Sequence, residues 1–195
     1  MRVLVACEYS GVVRDAFIKW GHEAMSCDLL PTESPGPHYQ GNVLDVLNDG
    51  WDLMIAHPPC TYLAVSGMHW TTRGLRDPQL TEDALNFVTK LLNAPIKKIA
   101  LENPISVISS RIRKPDQIIQ PWWFGDDASK KTCLWLKNLP LLVASDPLPG
   151  DNKTRRANQT ASGQNKLAPS KDRWKQRSKT YQGIADAMAH QWGGE

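Results

Sequence analysis

No stretch of this sequence approaches the roughly 20 apolar residues that a bilayer-spanning helix requires, so no membrane span is expected. The opening Met1-Arg2-Val3-Leu4-Val5-Ala6 is apolar for only a few residues, with no small-residue cleavage site behind it. A secretory leader is therefore not expected, which points to a reducing cytoplasm. Cysteine is sparse: Cys7, Cys27, Cys60 and Cys133 are scattered without a Cys-x-x-Cys pair, a usage that fits free thiols better than a disulfide framework. His57 and Cys60 have a His-x-x-Cys spacing, half of a zinc site, but no second pair accompanies them and no metal is expected. Internal repeats are absent too, which excludes solenoid architectures.

What is present is a chain of 195 residues, 41% of them hydrophobic, enough for one domain with a substantial core. Nothing in it specifies an oligomer beyond a monomer or weak dimer. The net charge of +3 conceals a lopsided distribution. Between Asn152 and Lys179 lie nine basic residues (Lys153, Arg155, Arg156, Lys166, Lys171, Arg173, Lys175, Arg177, Lys179) against the single acid Asp172, so the rest of the chain is acidic. A polyanionic partner is implied.

Along the chain, Val3 to Ala6 reads as a strand, Tyr9-Ser10-Gly11 as a turn, and Val12, Val13, Ala16, Phe17 and Trp20 as one face of a helix ending at Gly21. Further strands are expected at Glu23 to Cys27, Asp52 to Ala56, Lys98 to Leu101 and Cys133 to Leu136, with a short segment at Gly41 to Leu44. Helices are expected at Thr81 to Leu92 and Ile184 to Trp192, and loop at Pro31 to Pro37. The polar stretch from about Ser145 to Lys179 predicts loop or partial disorder. Alternating strands and helices give an α/β fold whose mostly parallel sheet is covered on both faces, with ligands outside the carboxyl ends of the strands.

Two motifs stand at such ends. Ala56-His57-Pro58-Pro59-Cys60 follows one buried strand, and Leu101-Glu102-Asn103-Pro104 follows another. On these residues, and on the Ser66-Gly67 that closes the first loop, the chain resembles the DNA cytosine-5 methyltransferases, in the manner of a small phage or prophage member. The resemblance implies a Rossmann-like S-adenosylmethionine-dependent methyltransferase fold and methylation of cytosine at carbon 5. Its chemistry asks for a thiolate that adds to carbon 6, here Cys60, and a carboxylic acid at ring nitrogen 3, here Glu102, with a pKa expected to be raised by burial. Pro58 and Pro59 stiffen the loop that carries the nucleophile.

The cofactor residues implied are Cys7, Glu8, Tyr9, Ser10 and Gly11 in place of a glycine-rich motif of which only Gly11 survives, Asp28 and Leu29 after the second strand, Asn42 and Val43, Pro58, and Gly183 in the closing motif Arg177 to Ala185. Asp28 is the acid expected on the ribose hydroxyls. Implied substrate contacts are Ser66, Asn103 and Lys130, together with Arg155, Arg156, Arg173 and Arg177 as phosphate grips. Only Leu141 to Lys179 stands where this family inserts a target-recognition domain, so low or short sequence specificity is expected. A free cytidine nucleotide is the alternative acceptor. A degenerate fold that only binds nucleic acid or protein is the alternative of another class, and the worn glycine motif favours it. An amino-methyltransferase is less favoured, because Cys60 occupies the place of the aromatic in its Pro-Pro-aromatic signature.

Overall fold

The computed structural model describes residues 1–194. In chain order the elements are β1 (Arg2–Ala6), α1 (Val12–Lys19), β2 (Glu23–Asp28), β3 (His38–Gln40), β4 (Leu53–Ala56), α2 (Met68–Thr72), α3 (Gln79–Leu92), β5 (Lys98–Pro104), α4 (Ile108–Arg111), β6 (Gln117–Ile119), β7 (Thr132–Lys137), α5 (Arg173–Ser178) and α6 (Gln182–Gly193). The strands form one sheet in the order β3-β2-β1-β4-β5-β7-β6. β3, β2, β1, β4 and β5 run parallel, and β7 runs antiparallel to both β5 and β6. This is the Rossmann-like α/β architecture expected. The order reverses direction between β1 and β4, and a ligand crevice opens at such a switch point.

Alternation along the central strands sorts the core onto two faces. Leu4, Ala6, Met54, Ala56, Ile99 and Leu101 point to one side, where Leu85, Val88 and Leu91 of α3 cover them. Val3, Val5, Leu53, Ile55 and Ala100 point to the other, beneath Val13 and Phe17 of α1 and Ile184, Met188 and Trp192 of α6. A strand covered on both faces needs apolar residues throughout, which is why β4 reads Leu-Met-Ile-Ala without a polar interruption. Full burial of each large apolar side chain stabilises by about 1.5–3 kcal/mol.

Several local readings change. The third strand lies at His38–Gln40, directly after the proline-rich loop, and Val43–Asp45 is a 3-10 turn in which Asn42 caps the Leu44 amide. The proline-rich loop is held by Arg14, a fully buried arginine that donates to Ser26 Oγ, Thr32 Oγ1 and the Ser34 and Pro35 carbonyls. β6 and α4 were not anticipated. The basic stretch is built of turns and α5, tied to the body by Asn158, which exchanges hydrogen bonds with the backbone of Ser129. No helix among the described residues is long and apolar enough to cross a membrane.

Candidate active site

The carboxyl ends of β1, β4 and β5 lie side by side, because these strands pair in register from Val3↔Leu53 to Ala6↔Ala56 and from Leu53↔Lys98 to Ala56↔Leu101. The residue after β4 is thereby set beside the residue after Leu101. His57 follows β4, and its backbone N–H donates to the Ala6 carbonyl at 2.9 Å. Its Nδ1 lies 2.9 Å from Glu102 Oε2. One residue on, Asn103 is buried and donates from Nδ2 to the Pro58 carbonyl at 2.9 Å, pinning the Pro-Pro-Cys loop to β5. The carbonyl of Cys60 accepts from the amides of Leu63 and Ala64, a tight turn. Leu63, fully buried, anchors that turn in the core.

Cys60 is exposed at the rim, whereas Cys27 and Cys133 are buried and Cys7 is partly covered. Burial and the neighbouring Glu102 carboxylate raise the Cys60 thiol, while Lys130, the local backbone and Arg177 pull it down without prevailing. Burial likewise pushes Cys27 and Cys133 up to about 11. Glu102 departs from the expectation of a raised acid. Burial does push its carboxyl up, but the hydrogen bond with His57, the Lys130 ammonium and the charge of His57 together hold it below its ordinary value. A carboxylate only accepts, so the shared hydrogen at the 2.9 Å contact belongs to His57 Nδ1.

Two clefts flank this pair. The first is lined by Cys7, Glu8, Tyr9, Ser10, His57 and Ser178 to Thr180. The second is lined by Glu102, Lys130, Thr132, Thr180, Tyr181 and Ile184. The closing segment thus folds back over the strand ends. Tyr9 Oη donates to the Lys175 carbonyl at 2.7 Å and meets Ser178 Oγ, and Lys179 pairs with Glu33.

Neither a protein-family profile nor any curated protein matches this chain. Among solved structures it is similar to a prophage-encoded chain of E. coli described as a candidate DNA modification methyltransferase, with TM-score 0.48 and 13% identity. That likeness covers 89% of this chain and 61% of the other, so the present chain spans about three-fifths of its neighbour's length.

The expected site residues divide into three groups. Cys60, Glu102, Asn103, Pro58 and Lys130 come together around the ends of β4 and β5, and Arg177 on α5 is near enough to act on the Cys60 thiol. Cys7, Glu8, Tyr9 and Ser10 line the first cleft, and the left-handed backbone at Gly11, φ 78°, starts α1 where a side chain would meet Arg14 and Ser34. Asp28 and Leu29 stand at the end of β2, the acid partly engaged by the Leu30 amide at 2.9 Å and the leucine 74% exposed. Ser66 is exposed, and its carbonyl faces the His69 ring.

The third group is engaged in structural work instead. The carboxylate oxygens of Glu8 accept from the amides of Val13 and Arg14, and Oε1 also from Ser10 Oγ, so its side chain caps α1 from within. Val43 is in the core, and Asn42 Oδ1 accepts from the Leu44 amide. Gly183 packs so tightly that a Cβ would fall 1.8 Å from the Phe124 carbonyl oxygen, and its amide donates to Asp126. Arg156 is buried, its guanidinium 4.6 Å over the Trp122 ring, so it does not face a phosphate backbone. Arg155 is exposed and Arg173 partly so.

His57 is the residue whose part was not foreseen beyond a half zinc site. Its signal was adjacency: a lone titratable residue between a fully buried strand and the Pro-Pro-Cys turn must lie at the strand ends. Among the described residues, no group of three or more His, Cys, Asp or Glu side chains is placed to hold a metal ion.

Proposed function

We propose that this chain is an S-adenosylmethionine-dependent methyltransferase that methylates cytosine at carbon 5 in DNA through a covalent bond to Cys60. The observation that carries the reading is the pairing of β4 with β5, which sets an exposed thiol and a buried carboxylate at adjacent strand ends, locked by Asn103 on Pro58. The fold supports it, since its crevice lies at the switch point between β1 and β4, beside that pair.

The first cleft and the end of β2 together fit the cofactor. At the end of β2, Asp28 offers a free carboxylate oxygen for ribose hydroxyls and Leu29 an uncovered apolar face for a purine, while His57 Nε2 is buried without a partner on the cleft wall. When bound there, S-adenosylmethionine supplies an electrophilic methyl group.

The chain's own residues prepare the base. Cys60 Sγ adds to carbon 6, and the electron pair displaced from the 5,6 double bond makes carbon 5 nucleophilic. The Glu102 carboxylate takes the proton of the Cys60 thiol as the S–C6 bond forms and passes it to nitrogen 3 as electron density moves into the ring. The two groups are coupled, because the Glu102 carboxylate is one of the influences that keep the Cys60 thiol protonated. Carrying the thiol proton neutralises Glu102, so its charge no longer opposes the Cys60 thiolate in the same encounter. Loss of the carbon 5 proton to water then re-forms the 5,6 double bond and expels Cys60 as thiolate, which recovers the nitrogen 3 proton through Glu102.

Extrusion of the base is required for this geometry in duplex DNA. Arg155, Arg177 and the exposed Trp174 near the cleft suit a nucleic-acid backbone and base face. The burial of Arg156 shortens the grip, and that observation favours a free cytidine nucleotide as the second reading.

Duplex DNA and a cytidine nucleotide, each carrying 5-fluorocytosine, are incubated with the protein and S-adenosylmethionine. Fluorine cannot leave as a proton, so a covalent adduct accumulates on the true acceptor, and Cys60→Ser abolishes it. An adduct that survives the substitution refutes the assignment of the nucleophile. Adduct on the nucleotide alone moves the acceptor to the second reading. No adduct on either, with intact folding, leaves a binding fold without chemistry.

A further inference from the structure

His57 lines the first cleft and is bonded to Glu102, which lines the second. Its side chain is only 9% exposed. Nδ1 is committed to Glu102 Oε2 at 2.9 Å, while Nε2 is buried with no hydrogen-bond partner. The same imidazole lines the cleft of Cys7 to Ser10 and Ser178 to Thr180, and its partner Glu102 lines the cleft of Lys130, Thr132 and Tyr181. A ring nitrogen left bare in a buried wall is costly unless something in the cleft bonds to it. A buried histidine with one nitrogen on a carboxylate and the other on a ligand has both its tautomer and its ring plane fixed.

We infer that His57 is a positioning residue joining the two clefts: Nδ1–H holds Glu102 by Oε2 so that Oε1 faces the base, and Nε2 hydrogen-bonds the ligand of the first cleft. The identity of that ligand, an S-adenosyl compound, rests on the function proposed above; the hold on Glu102 does not. The charged and titratable groups around the pair are Lys130 before β7, Cys133 on β7 and Cys60 on the loop after β4, with Arg177 of α5 beyond Cys60. Of these only Lys130, with His57 itself, favours the Glu102 carboxylate. Loss of the imidazole leaves burial opposed by Lys130 alone, so Glu102 should then titrate at higher pH.

Three variants separate the two nitrogens. In His57→Asn the amide nitrogen takes the place of Nδ1 and nothing replaces Nε2, in His57→Gln the amide reaches toward Nε2, and His57→Ala removes both. Titration of the Glu102 carboxyl carbon by 13C NMR, assigned with Glu102→Gln, needs no ligand. Its midpoint should rise in His57→Ala and His57→Gln and stay near wild type in His57→Asn, an order that mere loss of packing would not produce. Calorimetry with S-adenosylhomocysteine should show affinity lowered about three- to ten-fold in His57→Asn and His57→Ala and largely kept in His57→Gln. If His57→Ala is unfolded, the Asn and Gln variants carry both comparisons. A Glu102 midpoint unmoved in the Gln variant, or an Asn variant that binds as tightly as wild type, overturns the corresponding half. Wild-type protein that does not bind S-adenosylhomocysteine refutes the cofactor in the proposed function and the Nε2 half with it, while the carboxyl titration still decides the hold on Glu102.

Discussion

The strand ends of β4 and β5 and the basic stretch from Asn152 to Lys179 are held in opposite ways. At the strand ends, backbone pairing fixes the position of every residue to its neighbour, and two short side-chain bonds, His57 to Glu102 and Asn103 to Pro58, complete the arrangement in a buried setting. The basic stretch has little regular structure before α5 and depends on isolated anchors: Asn158 on Ser129, Arg156 over Trp122, Tyr9 on Lys175. One region can therefore support chemistry that tolerates little displacement, whereas the other can vary in sequence provided its anchors stay. The difference also explains why one arginine of a cluster is structural and its neighbour is not. Arg156 faces inward and Arg155 outward on the same turn.

The sharpest way to break the comparison is at Glu102. Glu102→Gln keeps the shape and removes the carboxylate that relays the proton, and methyl transfer should fall by about 100- to 10,000-fold in a single-turnover assay. The same variant has a stability signature. The folded carboxyl lies below its ordinary value of 4.5, so its contribution is present above that pH and is lost as pH falls through the folded value. Acid unfolding of Glu102→Gln should accordingly show a shallower dependence on pH than wild type. A steeper one would mean that the carboxyl is raised in the folded state.

Asn103→Ala should act on position more than on chemistry. It leaves the Pro58 carbonyl unpaired in the interior, which costs about 1–3 kcal/mol in thermal or denaturant unfolding. Cys60 should still form an adduct with 5-fluorocytosine, but more slowly. Unchanged stability would show that the loop is held by the Leu63 anchor instead.

The smallest effects are expected in the basic stretch, and they should split by burial. Arg155→Ala and Arg177→Ala together should leave the melting temperature within about 1–2 °C, given near-zero stability changes at exposed sites, and should flatten the salt dependence of DNA affinity by roughly one unit of slope for each phosphate no longer neutralised. Arg156→Ala should do the reverse, lowering stability by about 0.5–2 kcal/mol through the missing cation–π stacking while leaving the salt slope intact. If Arg156→Ala alone flattens the slope, the buried guanidinium turns outward on binding and the division by burial fails.

Much of the fold could be read in advance because it depends on local pattern. The buried runs Val3 to Ala6 and Leu53 to Ala56, the turn at Gly11 and the helical face of α3 all declare themselves within a few residues, since burial on two faces or one leaves a period in the sequence. The motif ends Pro58-Pro59-Cys60 and Glu102-Asn103 are visible for the same reason: polar and reactive residues directly follow apolar runs. β6, three residues long at the sheet edge, leaves no such period, and β3 is hidden behind prolines because its pairing with β2 decides it.

What a side chain does once placed was decided by tertiary structure alone. Glu8 reads as a cofactor residue and, on the wall of the first cleft, its carboxylate also caps the first amides of α1; Gly183 reads as a cofactor glycine and packs against Phe124. Burial alone would predict a raised Glu102, yet the sign is reversed by His57, forty-five positions away and brought within 2.9 Å by the β4–β5 register. Residue type and periodicity determine which segments are strands and where chemistry can stand, because those are properties of neighbours along the chain. Proton affinity, orphaned nitrogens and inward-facing arginines depend on neighbours in space, and those exist only after the sheet has formed.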